Sequence, residues 1–295
     1  MNRLDARTLF ARLASDIPLE CLGHLFVTGS LAAAYHYEAV LRGRGINTKD
    51  ADIVVHPAGD VGSCQTVAQT LLDSGWQKHR DCHSRATPAP PEQLRAIRLY
   101  PPKSNAYFVE FLTVPAHHQR KPLVWTPVQL ADGWYGMPSF RYLGIAALGR
   151  QMSDEGLEYA DPAMMAAANL LSHPEVGSAR IESGDLRGVL RSAKDLGRVI
   201  ALARLEGRDG TEAWRDRWLA AIKTCFPAGW RQLVAAMGSG LQELLDDDNA
   251  MEDARTTTDI GLLNGLGVTI EQLRVTGRRL MEDVVLPLRT EGTRR

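Results

Sequence analysis

Cysteine is scarce and scattered: Cys21, Cys64, Cys82 and Cys225 are the only four in 295 residues. No C-x-x-C pair occurs among them, so a disulfide-stapled scaffold and the usual structural zinc modules are both excluded, including a site built from His79, Cys82, His83 and Cys64. Long apolar runs are missing too. Even the MMAAANLL stretch falls well short of the roughly 20 residues that a membrane-spanning helix needs, and no membrane partner is expected. Charge of one sign is also absent: 34 Lys+Arg against 35 Asp+Glu leave a net charge of -1, which excludes indiscriminate coating of polyanions. Internal repeats and low-complexity tracts are not found. The opening MNRLDARTLFARLASDIP reads as an amphipathic helix and lacks the pattern of a secretory signal, so a cytoplasmic location is expected.

What is present is apolar material for a sizeable core, 44% of residues, over a length that suits one large or two ordinary domains. The charge is unevenly spread. Residues 1–150 hold 16 basic and 12 acidic residues, a balance of +4, and the remainder holds 18 and 23, a balance of -5. A phosphate-binding site is therefore sought first in the first half.

That half reads as mixed α/β. The apolar run 24–27 stops at Thr28-Gly29-Ser30 and passes straight into a helical stretch of small residues, 31–41. A Gly-punctuated loop, RGRGIN, leads to the β-branched run 51–55, which carries acid at its entry. Residues 61–74 have helical spacing with Gly75 as a stop, and 76–80 suggest a short third strand. Runs 94–100 and 106–114, joined by PPKSN, read as a β-hairpin. From about Pro162 the periodicity is wholly helical, with helices expected over 162–173, 185–207, 212–224, 230–245 and 270–285. Asp246, Asp247 and Asp248 suit a solvated helix end, since consecutive carboxylates cannot all face one ion.

One ordered set of residues carries chemistry. Gly29-Ser30 opens a helix whose N–H groups and positive dipole end suit an anion. Asp50 and Asp52, two apart on a strand, point to one side. Glu110 sits inside the apolar strand YFVEFL, where an ionised carboxylate is costly unless solvated, paired or metal-bound. Three carboxylates on one sheet face suit a pair of Mg²⁺ ions acting on phosphate. The plainer alternative for Glu110 is an ion pair with an arginine such as Arg98 on the neighbouring strand.

These motifs resemble a family. FVTGSLAAAYHY, then NTKDADIVV, then VEFL, is similar to the minimal nucleotidyltransferase fold of the polymerase-β-like superfamily, and the Thr48–Val55 form is similar to bacterial members that include abortive-infection type IV toxins. Those relatives carry a Lys-Asp helix motif, which Arg191-Ser192-Ala193-Lys194-Asp195 matches. The resemblance implies a nucleotidyltransferase-fold mixed sheet with flanking helices over residues 1–150, followed by an α-helical C-terminal domain over 151–295. It implies an enzyme that moves a nucleoside monophosphate from an NTP to an acceptor hydroxyl, with RNA or tRNA among the acceptors, in a toxin–antitoxin or phage-defence setting with a cognate antitoxin. Carried over, Asp50, Asp52 and Glu110 are metal ligands and catalytic groups for two Mg²⁺, Gly29, Ser30 and Lys49 contact the nucleotide, and Lys194 neutralises phosphate. Two alternatives stay open: a small-molecule, antibiotic-type nucleotidyltransferase, and a non-catalytic nucleotide-binding regulator of the same fold.

Basic residues Arg42, Arg44 and Lys49, with Lys78, Arg80, Arg85, Arg95 and Arg98, can receive an RNA backbone or stand as ordinary solvated charge. His117-His118 suits an exposed loop. Ser30 lacks the G-x-S-x-G setting of a hydrolase nucleophile.

Overall fold

The computed structural model describes residues 4–87, 89–116, 119–176, 179–181 and 186–294. His117, His118 and Asp185 lie outside them. The chain divides into two compact units, Met1–Glu38 with Gly45–Asp161, and Ala39–Arg44 with Pro162–Arg295. The boundary falls after Asp161 and not at residue 150, because two short strands past 150 belong to the first unit's sheet.

The first unit begins with α1 (Ala6–Asp16), started by Asp5, whose carboxylate accepts from the Thr8 N–H at 2.7 Å. Leu9, Phe10 and Leu13 form its buried stripe. Then come β1 (Leu25–Thr28), α2 (Gly29–His36), the short α3 (Glu38–Leu41), whose residues 39–41 count with the second unit, β2 (Asp50–Val55), α4 (Val61–Asp73), β3 (Gln77–Lys78), β4 (Arg98–Tyr100) and β5 (Phe108–Thr113). A hairpin of β6 (Leu123–Leu130) and β7 (Gly133–Phe140) is followed by α5 (Leu143–Ala146), β8 (Gln151–Met152) and β9 (Glu158–Tyr159). Seven strands make a sheet in the order β3-β4-β5-β2-β1-β9-β8, with β6 and β7 as a separate pair. The sheet is mixed: β2 runs parallel to β5 and antiparallel to β1.

Most of the strand and helix expectations for this half hold. Gly75, at φ 87°, ends α4 as a positive-φ stop. Strand β4 pairs antiparallel with β5 as the hairpin reading requires. The β6–β7 hairpin was invisible to periodicity because Pro127 and Pro138 interrupt both strands, a residue usually kept out of sheets. Two-residue strands such as β8 and β9 are too short to carry an alternation signal at all.

The second unit contains α6 (Pro162–Val176), α7 (Arg191–Glu212), α8 (Trp214–Cys225), α9 (Trp230–Ala236), α10 (Ser239–Asp246), α11 (Asp248–Ile260), α12 (Ile270–Leu280) and α13 (Leu286–Thr293). Trp214, Trp218 and Ile222, each four apart, are fully buried as their spacing predicts. The expected single helix over 230–245 is two helices, since Gly238 takes φ 76° and breaks the run. A Cβ on Gly238 would sit 2.5 Å from Val285 Cγ1, so close packing as well as the turn demands glycine there. The three aspartates are divided between elements: Asp246 ends α10, Asp247 caps α11 by accepting from the N–H groups of Asn249 and Ala250, and Asp248 pairs with Arg274.

Candidate functional site

Strand β1 ends at Thr28 and the backbone turns at Gly29, φ 76°, directly into α2. Thr28 makes no side-chain hydrogen bond to the helix it caps, so the first-turn N–H groups are left without that partner. The turn presses against a carboxylate: a Cβ on Gly29 would lie 2.8 Å from Asp52 Oδ2. Glycine is therefore required twice, for its φ and for the approach. Gly29 is buried and Ser30, one residue into the helix, is half-buried.

Register supplies the rest. On one side Asp52 is paired with Thr28, and on the other with Glu110; Glu110 is in turn opposite Arg98. Residues directly opposite one another share a sheet face, so Thr28, Asp52, Glu110 and Arg98 form one row across β1, β2, β5 and β4. Asp50 and Phe108 make the next row on the same face. Asp50 is exposed and oriented by Thr48, whose hydroxyl donates to Oδ1 at 2.6 Å, whereas Asp52 is half-buried.

The arginine decides how Glu110 stands. Arg98 Nε donates to Glu110 Oε2 at 2.6 Å, with side chains 35% and 15% exposed, so the half-buried acid is satisfied by an ion pair. Burial works against the Arg98 charge, but Glu110, with smaller help from Asp81 and Asp50, overrides it and holds the guanidinium above its ordinary pKa. Among the described residues, no group of three or more His, Cys, Asp and Glu side chains is gathered closely enough to hold a metal ion. Asp50, Asp52 and Glu110 thus share a face, with Glu110 turned onto Arg98.

Beside the row lies an aromatic group absent from the sequence reading. The His79 ring lies 4.9 Å from Tyr100 and 4.9 Å from Phe108, and Arg98 stands 5.6 Å from the Phe108 centroid. Burial lowers the His79 pKa, Arg98 and Arg80 add to the lowering, and Asp81 opposes them. The Asp81 N–H donates to His79 Nδ1 at 3.1 Å, which leaves the ring proton on Nε2 of the neutral imidazole. These residues come from three different strands or their ends, so no local motif links them.

Of the other nucleotide-contact candidates, Lys49 is exposed and its carbonyl accepts from the Phe108 N–H at 2.9 Å, tying the start of β2 to β5. Lys194 belongs to the second unit, half-buried on the first turn of α7. Three of the eight basic residues have acidic partners within the chain: Lys78 pairs with Asp132, Arg80 approaches Asp81 at 3.9 Å, and Arg98 holds Glu110. Cys64 and Cys82 are buried, and burial raises both thiols above their ordinary pKa.

No protein-family model matches the chain, and no curated protein matches it. Among solved structures it is similar to the STING-associated CdnE c-di-GMP synthase from Capnocytophaga granulosa, at 14% identity over 97% of this chain and 81% of that one, with a TM-score of 0.25. A likeness at that level carries no argument about fold or chemistry, which rest here on the residues themselves. No helix among the described residues is long and apolar enough to cross a membrane.

Proposed function

We propose that the first unit is a nucleotidyltransferase that moves a nucleoside monophosphate from an NTP to an acceptor hydroxyl. The observation that carries this reading is the contact between the Gly29 turn and Asp52, with Asp52 in register between Thr28 and Glu110. It sets an anion-binding helix start directly beside a strand carboxylate, the pairing that phosphoryl chemistry needs: N–H donors for phosphate oxygens and acidic oxygens for a hard cation. The donor set suits Mg²⁺ at Asp50 and Asp52, completed by substrate phosphates and water. Bound there, Mg²⁺ would neutralise charge on the transferring phosphate and its leaving pyrophosphate.

In this reading the chain's own groups do the following. Backbone N–H groups at Gly29 and Ser30 hold the β/γ-phosphates, and Lys49 is a further candidate for phosphate charge. Arg98 holds Glu110 in place in the resting protein through their ion pair. A phosphate drawn to the guanidinium releases the carboxylate, which then serves as third metal ligand or accepts the proton of the attacking hydroxyl. Catalysis is mostly positioning and charge neutralisation. RNA or tRNA acceptors, a small-molecule acceptor and a toxin–antitoxin setting with a cognate antitoxin remain parts of the proposal that the acceptor assay sorts.

A second reading has one observation in its favour. The Arg98–Glu110 ion pair satisfies the third carboxylate within the protein, as in a nucleotide-binding regulator without turnover. Incubation with each α-labelled NTP, Mg²⁺ and either total RNA or protein extract separates the two. Transfer by the wild type, abolished in Asp50→Ala and Asp52→Ala variants of unchanged circular dichroism, is the expected result. Retained transfer in a folded double variant overturns the mechanism, and NTP binding without transfer to any acceptor favours the regulator.

A further inference from the structure

The helical unit holds a cavity that none of the chemistry above uses. It has a volume of about 110 Å³ and lies between α7 and α12, lined by Arg204, Arg208, Thr211, Thr276, Arg279 and Leu280. That is several times the roughly 10–15 Å³ that one ordered water requires, measured in the same way. Three arginines line it, and no Asp or Glu is among its lining residues. Arg208 has Glu212 at a loose 3.9 Å, and neither Arg204 nor Arg279 has an ion pair among the described residues.

Stability alone does not account for the cluster. Arg204 and Arg208 stand on either side of a break in α7 at Gly207, so a continuous helix does not set their spacing. Arg279 gains nothing from a free helix C-terminus, because α12 runs without a break into a π-helical turn, Met281–Val285, and then α13. The hydroxyls are already committed as donors, Thr211 to the Arg208 carbonyl at 2.8 Å and Thr276 to the Gln272 carbonyl at 2.9 Å. Thr276 also accepts from Arg204 at 3.4 Å and so orients that guanidinium. The donors left facing the cavity are arginine N–H groups, the fork geometry that matches phosphate oxygens.

Both walls are irregular at this point. Gly207, at φ 81° and ψ 173°, interrupts α7 between the two arginines, and the π-helical turn begins one residue after Leu280. Breaks of this kind in a helix recur at functional sites, where they re-aim side chains. A Cβ on Gly207 would meet nothing within 4 Å, so the break is not forced by crowding.

We propose that this cavity is a binding site for a small phosphate-bearing anion, held by Arg204, Arg208 and Arg279 and independent of the carboxylate row on the sheet. Calorimetry on the full chain with inorganic pyrophosphate, Mg²⁺ omitted, gives the affinity, and hydrogen exchange locates the contact. Saturable binding with slowed exchange over residues 201–212 and 273–283 is expected. Loss of two charge-assisted contacts in Arg204→Gln/Arg279→Gln should weaken it by at least about 10-fold. Arg279 is exposed, so Arg279→Gln alone keeps the fold and still weakens binding. A parallel titration with ATP shows whether the phosphate of a nucleotide serves as well as the free anion. Unchanged exchange in these segments, unaltered affinity in folded Arg279→Gln, or protection confined to the Gly29 turn overturns the proposal. Protection by an RNA oligonucleotide but not by pyrophosphate does so too, and assigns the face to nucleic acid instead.

Discussion

At Gly29 two demands coincide, a left-handed backbone and a carboxylate 2.8 Å from where a side chain would begin. Gly29→Ala should therefore cost more than the usual 1–2 kcal/mol of a forced positive φ, since Asp52 must also shift. Denaturant titration checks the stability, and NTP binding checks the site; an alanine variant that binds NTP as tightly as the wild type would show that the turn is not a phosphate cradle. Glu110 is the second residue on which much depends. Removing its charge in Glu110→Gln leaves Arg98 half-buried without its partner, at a cost of roughly 1–3 kcal/mol, between the values for surface and buried pairs. Under the transferase reading, Arg98→Gln frees the carboxylate and keeps measurable transfer, while Glu110→Gln lowers it by about 10²-fold or more, the scale of losing a general base. Equal loss in both variants would mean that the pair acts only as a structural unit.

At the scale of elements, caps and breaks decide where each helix begins and ends. Helix α4 starts at Asp60, whose carboxylate accepts from the Ser63 N–H at 3.1 Å and from the Ser63 hydroxyl at 2.7 Å, and also meets His24 Nδ1 at 2.7 Å. Burial alone would raise the Asp60 pKa; the Ser63 bonds and His24 outweigh it and hold it below the ordinary carboxylate value. A folded pKa below the unfolded one means stability that is present above about pH 4 and is lost as pH falls through the folded value. Asp60→Ala should thus cost about 1 kcal/mol at pH 7, as for other helix caps, with a difference from wild type that shrinks below pH 4. Paired urea titrations at pH 7 and pH 3 measure it, and a constant difference would mean that the carboxylate charge contributes nothing.

The molecule as a whole is two compact units, each with its own buried core. A ligand that binds one unit stabilises the folded state by mass action, by about 2.7 kcal/mol at a concentration of 100 Kd. With NTP and Mg²⁺, hydrogen exchange should slow first in β1, α2 and β2 of the first unit, and Asp50→Ala/Asp52→Ala should abolish that slowing. Protection that survives the double substitution unchanged would place the nucleotide elsewhere. Near-neutral overall charge is compatible with such sites because it is a sum: the +4 of residues 1–150 and the -5 of the rest describe halves, and a phosphate responds to the charges within about 10 Å of it.

What the sequence determined by itself is everything that short-range physics controls. The β1–Gly29–α2 turn, the acid-bearing β2, the β4–β5 hairpin and the tryptophan face of α8 each follow from alternation, glycine placement or fourfold spacing within a few residues. Glycine at 238 and proline at 127 and 138 also act locally, yet they work against the periodic signal, so a helix was merged and two strands missed there, whereas the helix expected to end at 207 does meet its break at Gly207. Tertiary structure alone decided which distant residues share a row. Nothing near position 110 says whether its carboxylate turns toward Asp52 or toward Arg98; strand register puts both beside it, and the close Arg98 contact settles the resting pairing. The same holds for Arg204 and Arg279, brought to one cavity by the packing of α7 and α12. Electrostatic and packing energies depend on distance in space, and a sequence specifies that distance only after the chain has folded.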